Sequence, residues 1–320
     1  MLFRSAIDDR AGERTATVVG ARAPIGPDSK VYTEYQWEDG DGGTRKTSLL
    51  GLQHQWDVTP GLRLVVGGET ADITAGSVIS KRSAGTASLS YSDDHGLSVV
   101  TRQQIRFESG TAPKEQLLSV TQVDDRVSSS ITLLGRFRYS RTRERDTGEV
   151  VARLDERSLG FAYRPVTNDR FNALARYTRV LDLRPSSGAF PEDSERVLDV
   201  IALDTAYDLT HRIEWLSKLA ARSQEERIEG VPPVRSRSSL VIQRLNCAVW
   251  KPIALGIEYR VLAQRMTDDR RQGWLSEVMW TLHENFRIGA GFNFTDFSDD
   301  AISRNDYSVK GWFLRMQGRY

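Results

Sequence analysis

Long segments of this 320-residue sequence alternate apolar and polar residues with a period of two. In residues 286–294, for example, the apolar positions Phe286, Ile288 and Phe292 alternate with polar or small residues. Successive side chains of a β-strand point to opposite faces of the sheet, so this alternation predicts strands with one apolar face. We count about seventeen such runs after Thr15. The sequence therefore predicts an all-β, antiparallel fold.

The length of the runs indicates strands that cross a membrane. Each run extends over roughly ten or more residues, whereas strands of soluble proteins have about five to six. A tilted strand needs about 9–11 residues to cross a bilayer. Hydrophobic residues make up 39% of the chain and charged residues 27%, and no run approaches ~18 consecutive apolar residues. The composition thus excludes a helical membrane protein but is compatible with a transmembrane barrel.

The connections between the runs alternate between two kinds. Segments such as "DVTPG" and "DLTH" are short and contain residues typical of tight turns. Segments such as "EDGDGGTRK" and "RPSSGAFPEDSE" are longer and strongly polar. This pattern predicts an up-and-down β-barrel of about 16–18 strands with short periplasmic turns and longer extracellular loops.

The first residues suggest that part of the barrel precedes them. The segment "MLFRSAIDDR" lacks the apolar region and the cleavage site of a signal peptide. Bacterial single-chain barrels have an even number of strands, whereas the count is odd. We therefore predict that residues 1–14 are the remnant of an upstream strand and loop, and that residues 15–320 form the barrel. On this interpretation the chain is the C-terminal part of a longer precursor.

No catalytic motif occurs in the sequence. There is no phosphate-binding loop, nucleophile elbow, HExxH motif or dinucleotide-binding glycine pattern. The single cysteine, Cys247, and four scattered histidines do not suggest a metal site. The formal net charge of +1 gives no general attraction to nucleic acid. We predict a protein that is not an enzyme and that has no cofactor or metal.

The polar positions of the strands form a set with both signs of charge, which is tolerated only where side chains face water or each other. In one interpretation they line an aqueous pore whose arginines favour anionic or hydroxyl-rich solutes. In the other, the charges pair across strands and fill a plugged barrel. The pore-lining candidates are Glu34, Glu38, Arg102, Arg106, Arg136, Arg138, Arg176, Glu214, Lys218, Arg222, Glu258, Arg260 and Arg315.

The C-terminal strand ends on an aromatic residue, with apolar residues at alternating positions before it. This pattern resembles the C-terminal signal of bacterial outer-membrane barrels, which the barrel-assembly machinery recognises. The resemblance implies an assembly signal formed by Trp312, Leu314, Met316 and Tyr320.

Four longer stretches also resemble a known group of proteins. They are "GPDSKVYTEYQWED", "LDERSLGFAYRPVTNDRFNALARYTR", "GFNFTDFSDD" and "NDYSVKGWFLRMQGRY". These stretches look like the C-terminal barrel domain of large multidomain surface proteins of Gram-negative bacteria, and the resemblance extends over nearly the whole chain. It implies an outer-membrane barrel that follows other domains, and it implies no catalytic residues.

Together these observations predict a porin-like or export channel in the bacterial outer membrane, with a polar lumen lined by arginine and glutamate. The alternative is a plugged, non-enzymatic barrel that anchors an upstream region. The expected partners are outer-membrane lipid and lipopolysaccharide, together with the barrel-assembly machinery through the C-terminal strand. No nucleic-acid partner is expected.

Overall fold

The computed structural model of the protein describes residues 2–8, 14–39, 44–110, 113–184, 194–228, 230–266, 269–283, 285–294, 296–298, 307–308 and 310–318. All the regular structure within these ranges is β-strand. Over the same residues, no helix has the length and apolar character needed to cross a membrane.

Seventeen strands of 8 to 17 residues lie between Arg14 and Gly318, as the alternating pattern predicted. The first half of the chain contains β1 (Leu2–Asp8), β2 (Arg14–Pro24), β3 (Ser29–Asp39), β4 (Arg45–Thr59), β5 (Leu62–Ala75), β6 (Val78–Ser92), β7 (Leu97–Glu108), β8 (Lys114–Ser128), β9 (Ile131–Glu144) and β10 (Val150–Tyr163). The second half contains β11 (Phe171–Arg184), β12 (Ser194–Thr210), β13 (Ile213–Ile228), β14 (Val234–Trp250), β15 (Ile253–Gln264), β16 (Asp269–His283), β17 (Phe286–Asn293), β18 (Asp296–Ser298), β19 (Tyr307–Ser308) and β20 (Gly311–Gly318).

The chain divides into two compact units. Unit 1 comprises Met1–Asp125, Gly135–Glu156 and Asp182–Pro191. Within it, each strand from β1 to β7 pairs antiparallel with the next strand along the chain. The short strand β1 pairs with β2 from Leu2 to Asp8. Unit 1 is therefore an up-and-down meander.

Unit 2 has the same organisation. It comprises Arg126–Leu134, Arg157–Leu181 and Glu192–Tyr320. Strands β12 to β17 pair antiparallel in chain order, and β20 pairs with β17. The short strand β18 continues along β16 beyond the end of β17 and pairs with β19. The predicted antiparallel, up-and-down fold is confirmed.

Some polar segments whose composition is typical of loops, which the sequence pattern alone would assign to connections, are strands in the structure. Residues 71–83 belong to β5 and β6, which are joined by a two-residue turn at Gly76 and Ser77. Gly76 has φ = +59°, which suits such a tight hairpin. Residues 123–126, whose sequence "VDDR" has the composition of a short turn, lie within β8. Strand ends with polar side chains on both faces lose the alternating signal, which explains these differences.

The two faces of each unit differ in character. On one face, small or polar side chains pack closely, and Ala71, Ile73 and Glu277 are buried. The opposite face carries large apolar side chains that remain exposed, such as Leu50 and Ile257. This distribution is the reverse of a soluble protein, whose large apolar side chains collect inside.

Asp93 organises the short turn between β6 and β7. Its carboxylate oxygen Oδ1 accepts hydrogen bonds from the backbone N–H groups of Leu97 at 2.8 Å and of His95 at 3.0 Å. These bonds favour the ionised form and so hold the pKa of the Asp93 carboxyl below its ordinary value. The bond from Leu97 has the largest effect. The turn is therefore stabilised by the charged carboxylate.

We expect Asp93→Asn to lower the urea midpoint of the vesicle-inserted chain at pH 7. Because the folded-state pKa of Asp93 is depressed, its contribution to the free energy of unfolding is complete above the unfolded-state pKa of about 3.9. It is lost as the pH falls through the lower folded-state value. Unfolding followed by tryptophan fluorescence should therefore show a wild-type advantage that narrows below pH ~4. An advantage that is independent of pH would contradict this role.

Candidate functional site

The thirteen pore-lining candidates all lie on the polar face of the unit that contains them. Directly paired residues of antiparallel strands share a face. The registers connect Glu34 with Leu49 and Leu49 with the buried Ala71, and they connect Arg106 with Gln116. The Ser140 hydroxyl accepts a hydrogen bond from Gln116, so Arg136 and Arg138, of the same parity on β9, share that face. In unit 2 the register places Glu258 opposite Arg244 on the polar face.

In unit 1 the polar face carries Arg82, Arg102 and Arg106 near the carboxylate of Glu69. The Tyr32 hydroxyl donates to Glu69 Oε2 at 3.2 Å, across β4. The intervening strand β4 has Gly51 at this position, where a Cβ atom would overlap the Tyr32 ring. The Arg106 guanidinium donates to Gln116 Oε1 at 3.3 Å. The Glu69 carboxylate is thus occupied by a tyrosine rather than by a guanidinium.

Several guanidinium groups on the polar faces are exposed and unpaired. Within the described ranges they form no side-chain hydrogen bond and no ion pair. Nearby carboxylates are mostly engaged: Glu156 bonds Arg138 at 2.9 Å, and Asp204 lies 3.3 Å from Lys218. Glu34 is an exposed exception. The free charge is therefore mainly positive, and the unpaired arginines are Arg22, Arg102, Arg136, Arg176 and Arg222.

The polar face of unit 2 has a different arrangement, centred on Glu277 of β16. Only 1% of the Glu277 side chain is exposed. The Arg244 guanidinium, 13% exposed, hydrogen-bonds its Oε1 atom, and Arg315 Nη1 lies 3.1 Å from the same oxygen. Arg244 Nη1 also donates to Glu258 Oε2 at 3.3 Å. A buried carboxylate is thus held between two guanidinium groups.

Glycine makes this contact possible. Arg244 and Glu277 lie on β14 and β16, with β15 between them, and Gly256 occupies the intervening position. A Cβ atom at Gly256 would lie 2.8 Å from Arg244 Nη2 and 3.0 Å from Glu277 Cγ. A larger residue there would require at least one of these two side chains to shift.

The network continues to the neighbouring strands. Asn246 Oδ1 accepts from Arg244 Nε at 2.8 Å, and Asn246 Nδ2 donates to Glu214 Oε2 at 2.9 Å. Arg260 Nη2 lies 2.7 Å from Glu258 Oε1. A cavity of about 1130 Å³ in unit 2 is lined in part by six members of this network, namely Glu214, Arg244, Asn246, Glu258, Glu277 and Arg315.

The structure thus separates the candidates into three groups. One group has partners outside the network around Glu277, such as Arg138 with Glu156 and Lys218 with Asp204. Glu214, Glu258, Arg260 and Arg315 belong to the network around Glu277, whereas candidates such as Arg102 remain unpaired. Sequence reasoning missed Arg244, Asn246 and Glu277. The sequence signal for Glu277 was the single charged residue in the mainly apolar run "WLSEVMW".

The tryptophans mark the opposite, apolar face. All seven have exposed fractions between 43% and 81%. Tryptophan prefers the interface between membrane and water, where its apolar ring and its N–H group are both satisfied. The seven residues are Trp37, Trp56, Trp215, Trp250, Trp274, Trp280 and Trp312.

The residues of the predicted assembly signal also lie on an exposed apolar face. Trp312, Leu314 and Met316 alternate along β20, and their exposed fractions are 81%, 76% and 68%. Tyr320, the fourth residue of this prediction, lies outside the described residues. The recognition role of these residues stays a prediction.

No group of three or more histidine, cysteine, aspartate or glutamate side chains is arranged to hold a metal ion within the part of the chain that the structure describes. Cys247 is a free thiol of intermediate exposure on β14.

No protein-family model matches the sequence, and no curated protein resembles it in sequence. Solved structures, in contrast, resemble its fold. The copper transporter OprC superposes with a TM-score of 0.53 at 11% identity, covering 92% of this chain and 60% of that one. The ferric yersiniabactin uptake receptor FyuA from Yersinia pestis gives 0.50 at 11% identity, covering 93% and 61%. The chain therefore spans about three fifths of the length of each of these two proteins.

A shorter protein, the anion-selective porin from Comamonas acidovorans, has a TM-score of 0.45 at 12% identity, covering 96% of this chain and 98% of that one. Identities this low bear on the fold alone. The first two matches, together with the antiparallel strands and the exposed apolar face, place the chain in the fold class of outer-membrane β-barrels.

Proposed function

We propose that the protein is a porin-like channel of the bacterial outer membrane that favours anionic solutes. The observation that carries this proposal is the excess of exposed, unpaired guanidinium groups on the polar faces of the strands. Carboxylates on the same faces are mostly bonded to partners. An aqueous passage lined in this way would attract anions.

The spacing of tryptophans supports a transmembrane position. Trp37 on β3 pairs with Lys46 on β4, and Trp56 lies ten residues further along β4. Ten residues extend about 34 Å at ~3.4 Å each. At a strand tilt of about 40° this corresponds to about 26 Å along the membrane normal, close to the ~25 Å apolar band of bacterial barrels. The two side chains would therefore lie at opposite interfaces.

The unpaired arginines argue for water beside the polar faces. A guanidinium that is neither paired nor hydrated would carry a large desolvation cost. Arg102 and Arg222 are exposed and have no ion-pair partner among the described residues, so solvent must satisfy them. A lumen filled by paired charges would leave fewer such groups.

A plugged barrel that anchors an upstream region is the second candidate. The buried network around Glu277 favours it, because closely packed ion pairs give a rigid wall without serving conduction. On either proposal the apolar residues of β20 would present the assembly signal, including Tyr320, to the barrel-assembly machinery.

Single-channel conductance in a planar bilayer tests the first candidate. We expect stepwise conductance with a reversal potential that indicates anion preference. Arg102→Gln combined with Arg136→Gln should shift that potential towards a non-selective pore, because it removes two unpaired positive charges. Lys46→Gln combined with Lys81→Gln removes the same charge from the apolar face and should leave it unchanged. Insertion without conductance would favour the plugged barrel instead.

A further inference from the structure

Three arginines face outward on neighbouring strands of unit 2. Arg237 lies on β14, Arg265 directly follows β15, and Arg270 lies on β16. All three are exposed, and in the described ranges their side chains form no hydrogen bond or ion pair. The Arg265 N–H donates to the Arg237 carbonyl at 2.9 Å, so these two arginines are directly opposite each other. Like charges in this arrangement repel and destabilise the sheet unless an anion lies between them.

A groove adjoins this pair on the same outward face. Its volume is about 450 Å³, and Arg237 and Arg265 both line it. An acidic residue of the lining, Asp199, accepts a hydrogen bond from the Tyr177 hydroxyl at 2.6 Å and lies 4.0 Å from Arg179. Asp199 is therefore already engaged by neighbours other than the pair. The remaining outward lining is mainly small or apolar: Ile201, Ala221, Ser223, Ser239 and Ala263.

The three guanidinium groups lie at the height of lipid headgroups if the chain spans the membrane as proposed. Arg270 is ten residues from Trp280 on β16, and Arg237 is thirteen from Trp250 on β14. These separations are about 34 and 44 Å along the strands at ~3.4 Å per residue. At a tilt of about 40° they become about 26 and 34 Å along the normal, at or just beyond the ~25 Å apolar band.

We propose that this outward surface binds lipopolysaccharide of the outer leaflet. An acyl chain lies in the groove, and a phosphate of the glycolipid lies between Arg237 and Arg265. Guanidinium groups bind phosphate with two parallel hydrogen bonds, which makes arginine well suited to this contact. Arg270 provides a third positive charge for a second phosphate, which favours a bis-phosphorylated glycolipid over a phospholipid with one phosphate. This inference rests on the proposed outer-membrane location.

Native mass spectrometry of the full chain in detergent, titrated with bis-phosphorylated lipid A, tests the proposal. We expect a retained lipid A adduct whose affinity falls at least ~10-fold in the double variant Arg237→Gln, Arg265→Gln, about 1.4 kcal/mol. Dephosphorylated lipid A and phosphatidylglycerol should bind the wild-type chain more weakly than lipid A. The control variant Arg63→Gln, Lys251→Gln loses the same charge at the short-turn end and should bind like the wild type.

Three results would overturn the inference: equal affinity in the arginine variant, equal binding of dephosphorylated lipid A, or equal binding of phosphatidylglycerol. If the arginine variant does not fold, the comparison of the three lipids on the wild-type chain still decides. Bilayer insertion of the same samples separates this inference from the proposed function. A chain that does not insert contradicts the membrane location, whereas one that inserts but ignores the phosphates contradicts only the lipid site.

Discussion

Replacement of Glu277 by alanine is expected to lower the free energy of unfolding by about 3–5 kcal/mol. Removal of one partner from a buried ion pair leaves the other charge without compensation. The Arg244 side chain is only 13% exposed, and it would retain a single carboxylate partner, Glu258. Arg315 would lose its carboxylate as well, although 43% of its side chain is exposed and water can replace part of that contact.

Equilibrium unfolding in urea, followed by tryptophan fluorescence of the chain in lipid vesicles, measures this cost. Asp204→Ala is the matched control, because it removes the partner of Lys218 from a pair whose side chains are 38% and 44% exposed. An exposed pair of this kind contributes about 0–1 kcal/mol. Equal effects of the two substitutions would contradict a special role for burial at Glu277.

A double-mutant cycle isolates the contact between Glu277 and Arg244. The single variants Glu277→Gln and Arg244→Gln each remove one charge, and the double variant removes both. We expect the double variant to be less destabilised than the sum of the two, because neither charge is then left without its partner. Additive effects would show that the two side chains act independently.

The regular parts of the fold could be predicted because alternation along a strand has a period of two. In β17 and β20 each apolar residue on the exposed face is followed by a polar or small one, apart from Phe313, so strand and face can both be assigned. Thirteen candidates were assigned to the polar face by the same rule. The strand ends could not be predicted, because in residues 71–83 polar side chains occupy both faces.

The contacts on the polar face could not be predicted, because they depend on register. Arg244 and Glu277 are 33 residues apart in sequence and lie on strands that are not neighbours. Gly256 at the intervening position leaves the space for their contact. Glycine in a strand can also mark a bulge or a weak position, so the sequence alone does not indicate which function Gly256 has.

A charge on the apolar face of β20 is expected to destabilise the inserted chain. Leu314→Arg is expected to lower the free energy of unfolding in vesicles by about 2–4 kcal/mol, the range for arginine at the middle of a bilayer. Leu314 is 76% exposed on β20, and it pairs with Ala290 on β17. Ala290 lies halfway between Phe286 and Phe294, two exposed aromatic residues near the ends of the apolar stretch. Leu314 should therefore be close to the midplane.

The control for Leu314→Arg is Gln317→Arg, which adds the same side chain to the polar face of the same strand. Gln317 pairs with Arg287 and is exposed, so a guanidinium there can remain hydrated. The new guanidinium lies opposite Arg287, and like charges in that arrangement destabilise a sheet, so we expect a cost of up to about 1 kcal/mol, below that at Leu314. A large cost at Leu314 with a small one at Gln317 requires lipid on one face of β20 and water on the other. Equal costs would contradict that assignment, whatever the lumen conducts.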